Sequence, residues 1–431
     1  MFSMARLYSP DSLGSSSSTK NLGRWKTLTE KARVVLCSLS IITRNSPTWA
    51  RTVDMSKYIL AAASVLFGAG TMMLLVKTSK VYSAPILEQC LVPNMVEMPT
   101  NQLPPFYRTG LPVIDHIGCF FTTFFLDARS TDLNLFVTRA LMGPGMAFFT
   151  IAAIESTRST SRAFARWYMA TALVSQALGV CVASLLIWLP SWLLTGTSPS
   201  KHAPLRSGLV WTIALLLVVP IGSMLVMLEG STDIDVFGPA VLVFTYAPIL
   251  MPLVWVPVGA LLYAMTGPLH RMPYALRSGS HAAHIVYEIL SIIAAVYWVY
   301  ALWMWLSPLG VLPPSILTTS PSDLVSWLST TWSAETLDTS KLTEALEAIV
   351  QMITQPTGTQ VVGLYLGIDH LVVWIALIWW AAIEDGIFAL PRIIVGGVVF
   401  GPGASILSYA ARREVRLGGL SRPVDLKTKM E

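Results

Sequence analysis

Charge is what this chain has least of. Only 12% of its 431 residues are Asp, Glu, Lys or Arg, where an average soluble domain carries about 25%. Hydrophobic residues make up 54%, and mean hydropathy is +0.61. Those figures exclude an ordinary soluble domain and predict an all-α, polytopic membrane protein. The net charge of +5 is concentrated near the termini. It therefore reads as a membrane-orienting signal, and no nucleic-acid partner is expected.

Other absences narrow the field. The four cysteines, Cys37, Cys90, Cys119 and Cys181, are widely spaced, with no Cys-x-x-Cys and no zinc spacing. Cys119 and Cys181 read as small packing residues, and no disulfide framework is expected. No Asn-Asp-x-x-Asp occurs, which argues against a magnesium-dependent prenyltransferase. No Walker A motif, His-Glu-x-x-His or Gly-x-Ser-x-Gly is present. Histidines number six, with no His-rich box for di-iron chemistry. No cofactor is expected.

What is there is a doubled tripeptide. Ile114-Asp115-His116 and Ile368-Asp369-His370 each place a carboxyl beside an imidazole within an apolar run. Ionisable groups at membrane depth are costly, so each pair is a candidate functional site. The bland alternative is that each is satisfied locally by backbone groups. No wider similarity surrounds the two tripeptides, so an internal duplication is not expected.

Residues 1–57 form a basic, Ser-rich arm that lacks the pattern of a packed domain. Residues 58–410 hold the helical domain, and 411–431 form a basic tail. Nine apolar stretches fall at 58–76, 111–126, 136–154, 167–194, 208–228, 236–264, 284–305, 361–383 and 387–409. A span needs roughly 20 residues. Both basic termini belong in the cytosol, which requires an even number of spans. With 387–409 re-entrant or interfacial, 22 Lys and Arg lie on the cytosolic side and 7 on the far side. That scheme predicts about eight spans, but it strands Arg158, Arg162 and Arg166 on the far side. It also predicts a luminal amphipathic helix near 336–354, built on Leu337, Leu342, Leu346, Ile349, Val350 and Ile353. Lys427 and Lys429 sit at the dilysine spacing of an endoplasmic-reticulum retrieval signal.

Glu384-Asp385 closes the eighth stretch. Neighbours on a helix diverge by about 100°, so these two do not form a facing acid pair; they are candidate catalytic carboxylates, and the alternative is a solvated or interfacial helix end. Trp298, Trp303 and Trp374 lie in aromatic-rich spans, where a π-face can stabilise a passing cation. The alternative for such residues is an interfacial belt.

Eight spans, the Pro-rich segment after the first, the run from Val113 to Phe125 and the late Asp369…Glu384-Asp385 pattern resemble fungal membrane-bound terpene cyclases. The group in question makes ascofuranone-, ascochlorin- and macrophorin-type meroterpenoids. The resemblance implies a metal-independent cyclase of secondary metabolism. Such an enzyme protonates the terminal epoxide or olefin of a lipophilic, prenylated (farnesyl) phenol or cyclohexenone held among membrane lipid. The acid is expected at Asp115 or Asp369, with His116 or His370 orienting it or taking the final proton. A carrier that uses the same buried acids for proton coupling is the alternative, although no two-half symmetry is legible.

Overall fold

The computed structural model describes residues 47–91, 107–158, 167–194, 205, 207–265, 279–307, 339–356 and 358–417. Among these residues the chain is entirely helical, with no strand. It divides into Met1–Ile59 and a larger unit, Leu60–Glu431. The helices are α1 (Pro47–Cys90), α2 (Pro112–Asp127), α3 (Asp132–Ser156), α4 (Tyr168–Leu178), α5 (Val180–Leu194), α6 (Ser207–Glu229) and α7 (Ile234–Met265). They continue as α8 (Gly279–Leu306), α9 (Thr339–Thr354), α10 (Gln360–Asp385), α11 (Leu390–Phe400) and α12 (Pro402–Leu417).

Six segments are long and apolar enough to cross a membrane: Ser56–Lys80, Asp132–Ser156, Ser207–Glu229, Ile234–Gly259, Gly279–Leu306 and Gln360–Asp385. Two of the expected spans are missing from this set. The 111–126 stretch folds as the 16-residue α2, about 24 Å long at 1.5 Å per residue. The 167–194 stretch is cut at Gly179, whose φ of 104° ends α4 and starts α5. Positive φ is cheap only for glycine, so the break is written into the sequence.

Contacts define two ends of the bundle. At one, Asn134 donates to the Thr359 carbonyl at 2.9 Å, and Arg129 donates to the carbonyls of Met227 (2.7 Å) and Gly230 (3.0 Å). At the other, Glu155, Arg158, Glu384, Arg413 and Glu414 form a buried ionic cluster. We call these the Thr359 end and the Arg413 end. Helices α3, α7 and α10 run from the first to the second, and α6 and α8 run back.

Two pairs of short helices do not traverse. In the first hairpin, α4 begins with Tyr168 against Phe149 and Trp255, turns at Gly179, and returns as α5 with Trp188 and Trp192 against Trp380. In the second, α11 leaves the Arg413 end after Gly386 and turns at Gly401, where φ is 94°. Helix α12 then runs back along α8, with Ser291 donating to the Ala404 carbonyl and His284 paired with the Ala411 carbonyl. Residues 387–409 thus leave from and return to one end of the bundle. The tip of each hairpin packs at similar depth. Asp369, at the first, is nine residues into α10, and Trp298, at the second, is eight residues from the end of α8. Both positions lie roughly 12–14 Å from the Thr359 end.

Helix α9 falls within the stretch expected to be an amphipathic helix, and its Met352 is buried where it meets Gly363 of α10. Leu337, the first residue of that expected face, lies outside the described residues.

Three sequence expectations are corrected. Cys90 and Cys119 form a disulfide, joining α1 to α2. Linear spacing could not reveal it, because the partners meet only when α2 packs on the end of α1. Cys181 is free and buried, as a packing residue. Residues 411–417 are not tail: α12 continues to Leu417, and Arg413 and Glu414 are among the most buried side chains of the molecule. Glu384 is likewise buried rather than solvated, because Arg413 supplies a counter-charge that no local pattern signals.

Candidate functional site at the tip of the second hairpin

The two Asp-His pairs share no hydrogen-bond partner. Asp115 is 1% exposed. Its carboxylate accepts from the Thr109 N–H and hydroxyl, both at 2.7 Å, and from the Gly110 N–H at 3.1 Å. It folds the chain back over the first turn of α2. His116 Nδ1 lies 2.5 Å from the Cys90 carbonyl and ties α2 to the end of α1 beside the disulfide. This pair is satisfied by its own surroundings.

Asp369 is 3% exposed and sits against the first hairpin. It accepts from the N–H of Cys181 at 2.7 Å and of Val180 at 3.4 Å. Those are the first N–H groups of α5, which have no acceptor within their own helix. A carboxylate at a helix N-terminus also meets the positive end of the helix dipole. Gly179 is obligatory here on two counts. Its φ is positive, and a Cβ would lie 3.2 Å from both Asp369 Oδ1 and the Tyr365 hydroxyl. His370 is hydrogen-bonded to the Ala140 backbone, while its Nδ1 is buried without a partner.

Glu384 and Asp385 diverge, as neighbours on a helix must. Glu384 turns inward to a bidentate pair with Arg413, and Asp385 turns outward to Arg416. Arg413 Nη1 also reaches Glu155 at 2.9 Å and Glu414 at 3.2 Å, and its guanidinium lies 5.2 Å from the Trp380 ring centre. Three carboxylates face two arginines, and the cluster joins α3, α10 and α12.

The remaining predicted residues lead to the second hairpin. Its tip closes a small cavity lined by Arg139, Ala140 and Gly143 of α3, Tyr297 and Trp298 of α8, and Gly401–Gly403. A Cβ on Gly401 would come within 2.7 Å of Trp298, and one on Gly397 within 2.4 Å of Trp374. Two of the three predicted tryptophans therefore pack on this hairpin, and both indole nitrogens are buried without a partner. Trp303 is half-buried on α8 and does not line the cavity. Phe136 extends the aromatic wall, stacked 4.6 Å from Trp305 and 6.2 Å from Trp298.

The polar centre beside this wall is one that sequence reasoning did not select. Arg139 is 7% exposed and donates from Nε and Nη2 to the two oxygens of Glu229, at 2.8 and 2.6 Å. The hydroxyls of Tyr297 and Tyr300 donate to the same carboxylate at 2.9 and 2.8 Å. Glu229 is 27% exposed, so it is the most accessible of the carboxylates held inside the bundle. Its signal was a charge at the end of an apolar run with an arginine near the start of another. Only the antiparallel packing of α3 and α6 brings the two together.

Among the described residues no group of three His, Cys, Asp or Glu side chains could hold a metal ion. The chain matches no protein-family model, no curated protein and no solved structure.

Proposed function

We propose that this chain is an integral-membrane cyclase of a lipophilic prenylated substrate, initiated by an acid and carried through a cation. The observation that supports it is the polar and aromatic cluster beside the second hairpin. Glu229, Arg139, Tyr297 and Tyr300 form a charge-neutral polar centre beside the faces of Trp298, Phe136 and Trp305. Indole and phenyl faces stabilise a migrating carbocation and exclude the water that would quench it. Glu229 is the carboxylate of this cluster that can take the proton lost by the last cation, and Arg139, Tyr297 and Tyr300 hold it in position. Asp369-His370 is the acid candidate, since His370 touches the Ala140 backbone of the cavity wall. Asp115 and His116 serve structure, and Glu384 with Asp385 anchors the last helix.

In the membrane, we place six crossings, with both hairpins entering from the cytosolic face and the Arg413 end as that face. From Leu60 onward, 14 Lys and Arg then fall on the cytosolic side and 6 on the other. Arg158, Arg162 and Arg166 join the majority, which removes the anomaly of the eight-span scheme. The Cys90–Cys119 disulfide falls on the opposite, oxidising side. Helix α9 then lies on the side opposite the Arg413 end.

The test is conversion of farnesylated phenols and their terminal epoxides by microsomes from a yeast expressing the chain. Cyclised product is expected from the wild type, with a loss of 100-fold or more in Glu229→Gln, on the order of a general acid–base contribution. A correctly folded protein that converts none of these substrates overturns the reading.

A second reading is a carrier of a small lipophilic metabolite. It draws on the paired re-entrant hairpins, since interrupted helices with N-termini at membrane depth are common in transporters. Uptake of the same phenols into proteoliposomes, dependent on a pH gradient, would favour it.

A further inference from the structure

Three arginines meet on the second hairpin at the Arg413 end. Gly396 of α11 packs on Ser405 of α12, where a Cβ on the glycine would lie 3.3 Å from that of the serine. Arg392 is one helical turn before Gly396, and Arg412 is two turns after Ser405, so both stand over the same seam between the two helices. Arg416 follows one turn further along α12, on the face of Arg412. Their closeness registers at Arg412: burial lowers its pKa, and Arg392 and Arg416 lower it further.

The carboxylates of the chain do not match these charges. Arg416 pairs with Asp385, the last residue of α10. Arg412 donates to the Ser408 hydroxyl at 2.9 Å. Arg392 is exposed and makes no hydrogen bond or ion pair among the described residues. Glu384 and Glu414, the next carboxylates along the two helices, are held by Arg413 and Arg158. Two of the three positive charges are therefore left over. Like charges one turn apart repel, so the arrangement calls for an anion that joins them.

The surroundings identify where that anion comes from. Phe388 is 86% exposed and Ile387 69% exposed in the short turn before Arg392. Val395 and Val399, three and seven residues after Arg392, continue an exposed apolar stripe on its side of α11. A soluble anion makes no use of such a stripe, whereas a lipid lays its acyl chains on it. We infer that Arg392, Arg412 and Arg416 hold the headgroup phosphate of an anionic phospholipid whose chains run along Val395 and Val399. Guanidinium groups pair with phosphate through two parallel N–H bonds, which suits a cluster built of arginine alone. The six-crossing placement sets this end at the cytosolic leaflet, where anionic phospholipids concentrate. The inference rests on that placement and is independent of the cyclase reading.

The experiment is native mass spectrometry of the full-length, delipidated protein in detergent, titrated with dioleoyl phosphatidate or dioleoyl phosphatidylcholine. The two probes share their chains and differ in headgroup charge. Wild type is expected to bind phosphatidate about tenfold or more tighter, the scale of two basic side chains at an anionic surface. Arg392→Gln with Arg412→Gln should abolish that preference and leave phosphatidylcholine binding unchanged. Arg392→Gln alone, at an exposed and unpaired side chain, should lose about fivefold. Lys77→Gln with Lys80→Gln removes the same net charge from exposed positions on α1 and should keep the preference intact. Equal binding of the two lipids by wild type, or an equal loss in the two double variants, overturns the inference. Displacement of phosphatidate by glycerol 3-phosphate at matching concentration makes the occupant a free phosphate and overturns the lipid assignment.

Discussion

The two hairpins enter from one end, turn on glycines of nearly equal conformation and reach similar depth. Gly179 has φ 104° and ψ 150°, and Gly401 has φ 94° and ψ 145°. They differ in what meets the tip and what anchors the return arm. The first tip is closed by the chain's own carboxylate, Asp369, and its return arm lies on Trp380 through Trp188 and Trp192. The second tip packs on Trp298 and the Gly143 backbone, and its return arm is pinned by Arg413 to carboxylates of two long helices. One geometry has therefore been completed once by a polar cap and once by close packing. A buried polar end demands a partner, and whether the chain supplies it decides between the two outcomes.

The comparison can be broken at several points. The largest effect is expected at the second anchor. Arg413→Gln leaves buried carboxylates without their counter-charge and should cost about 3–5 kcal/mol, read as loss of monodisperse protein or a large fall in Tm. At the first anchor, Trp188→Ala removes a ring that is 1% exposed and should cost less, about 3 kcal/mol through its cavity; an equal effect at the two anchors would show that charge confers no advantage over packing. At the tips, Gly401→Ala should cost more than Gly179→Ala. Both incur about 1–3 kcal/mol for a positive-φ, extended backbone that is open essentially only to glycine, but only the former drives a methyl to 2.7 Å from Trp298. Asp369→Asn should cost about 1–2 kcal/mol as a weakened cap.

The smallest effect is a pH dependence. Burial pushes the Glu414 carboxyl above its ordinary range, and its Oε2 has no partner. A raised folded-state value means that the folded protein binds the proton more tightly than the unfolded chain. Stability from this group is thus present at low pH and declines as pH rises from the ordinary carboxylate value to the raised one. Glu414→Gln should flatten that slope in thermal melts taken across the interval; an unchanged slope would show that another group carries it.

The helical class and most of the spans were legible because hydropathy over 20 residues is a strong local signal. The break at Gly179 was not, since a lone glycine in an apolar run reads as packing until its φ is known. Asp369 was legible as a costly buried acid, but not its role as a cap for α5, which is 188 residues away at Cys181. Glu229 and Arg139 were not legible as a pair, because they lie 90 residues apart. The ending Ala-Ala-Ile-Glu occurs at both 152–155 and 381–384. In the structure both glutamates bind Arg413.

That shared arginine also sets an order of assembly. Glu155 enters the membrane with α3 and Glu384 with α10, yet their common partner is translated only with α12, 258 residues after Glu155. Until then Glu155 has Arg158, three residues on, while Glu384 has no arginine, so the helices synthesised first hold one carboxylate more than they can neutralise. Packing at the Arg413 end is therefore completed only by α12.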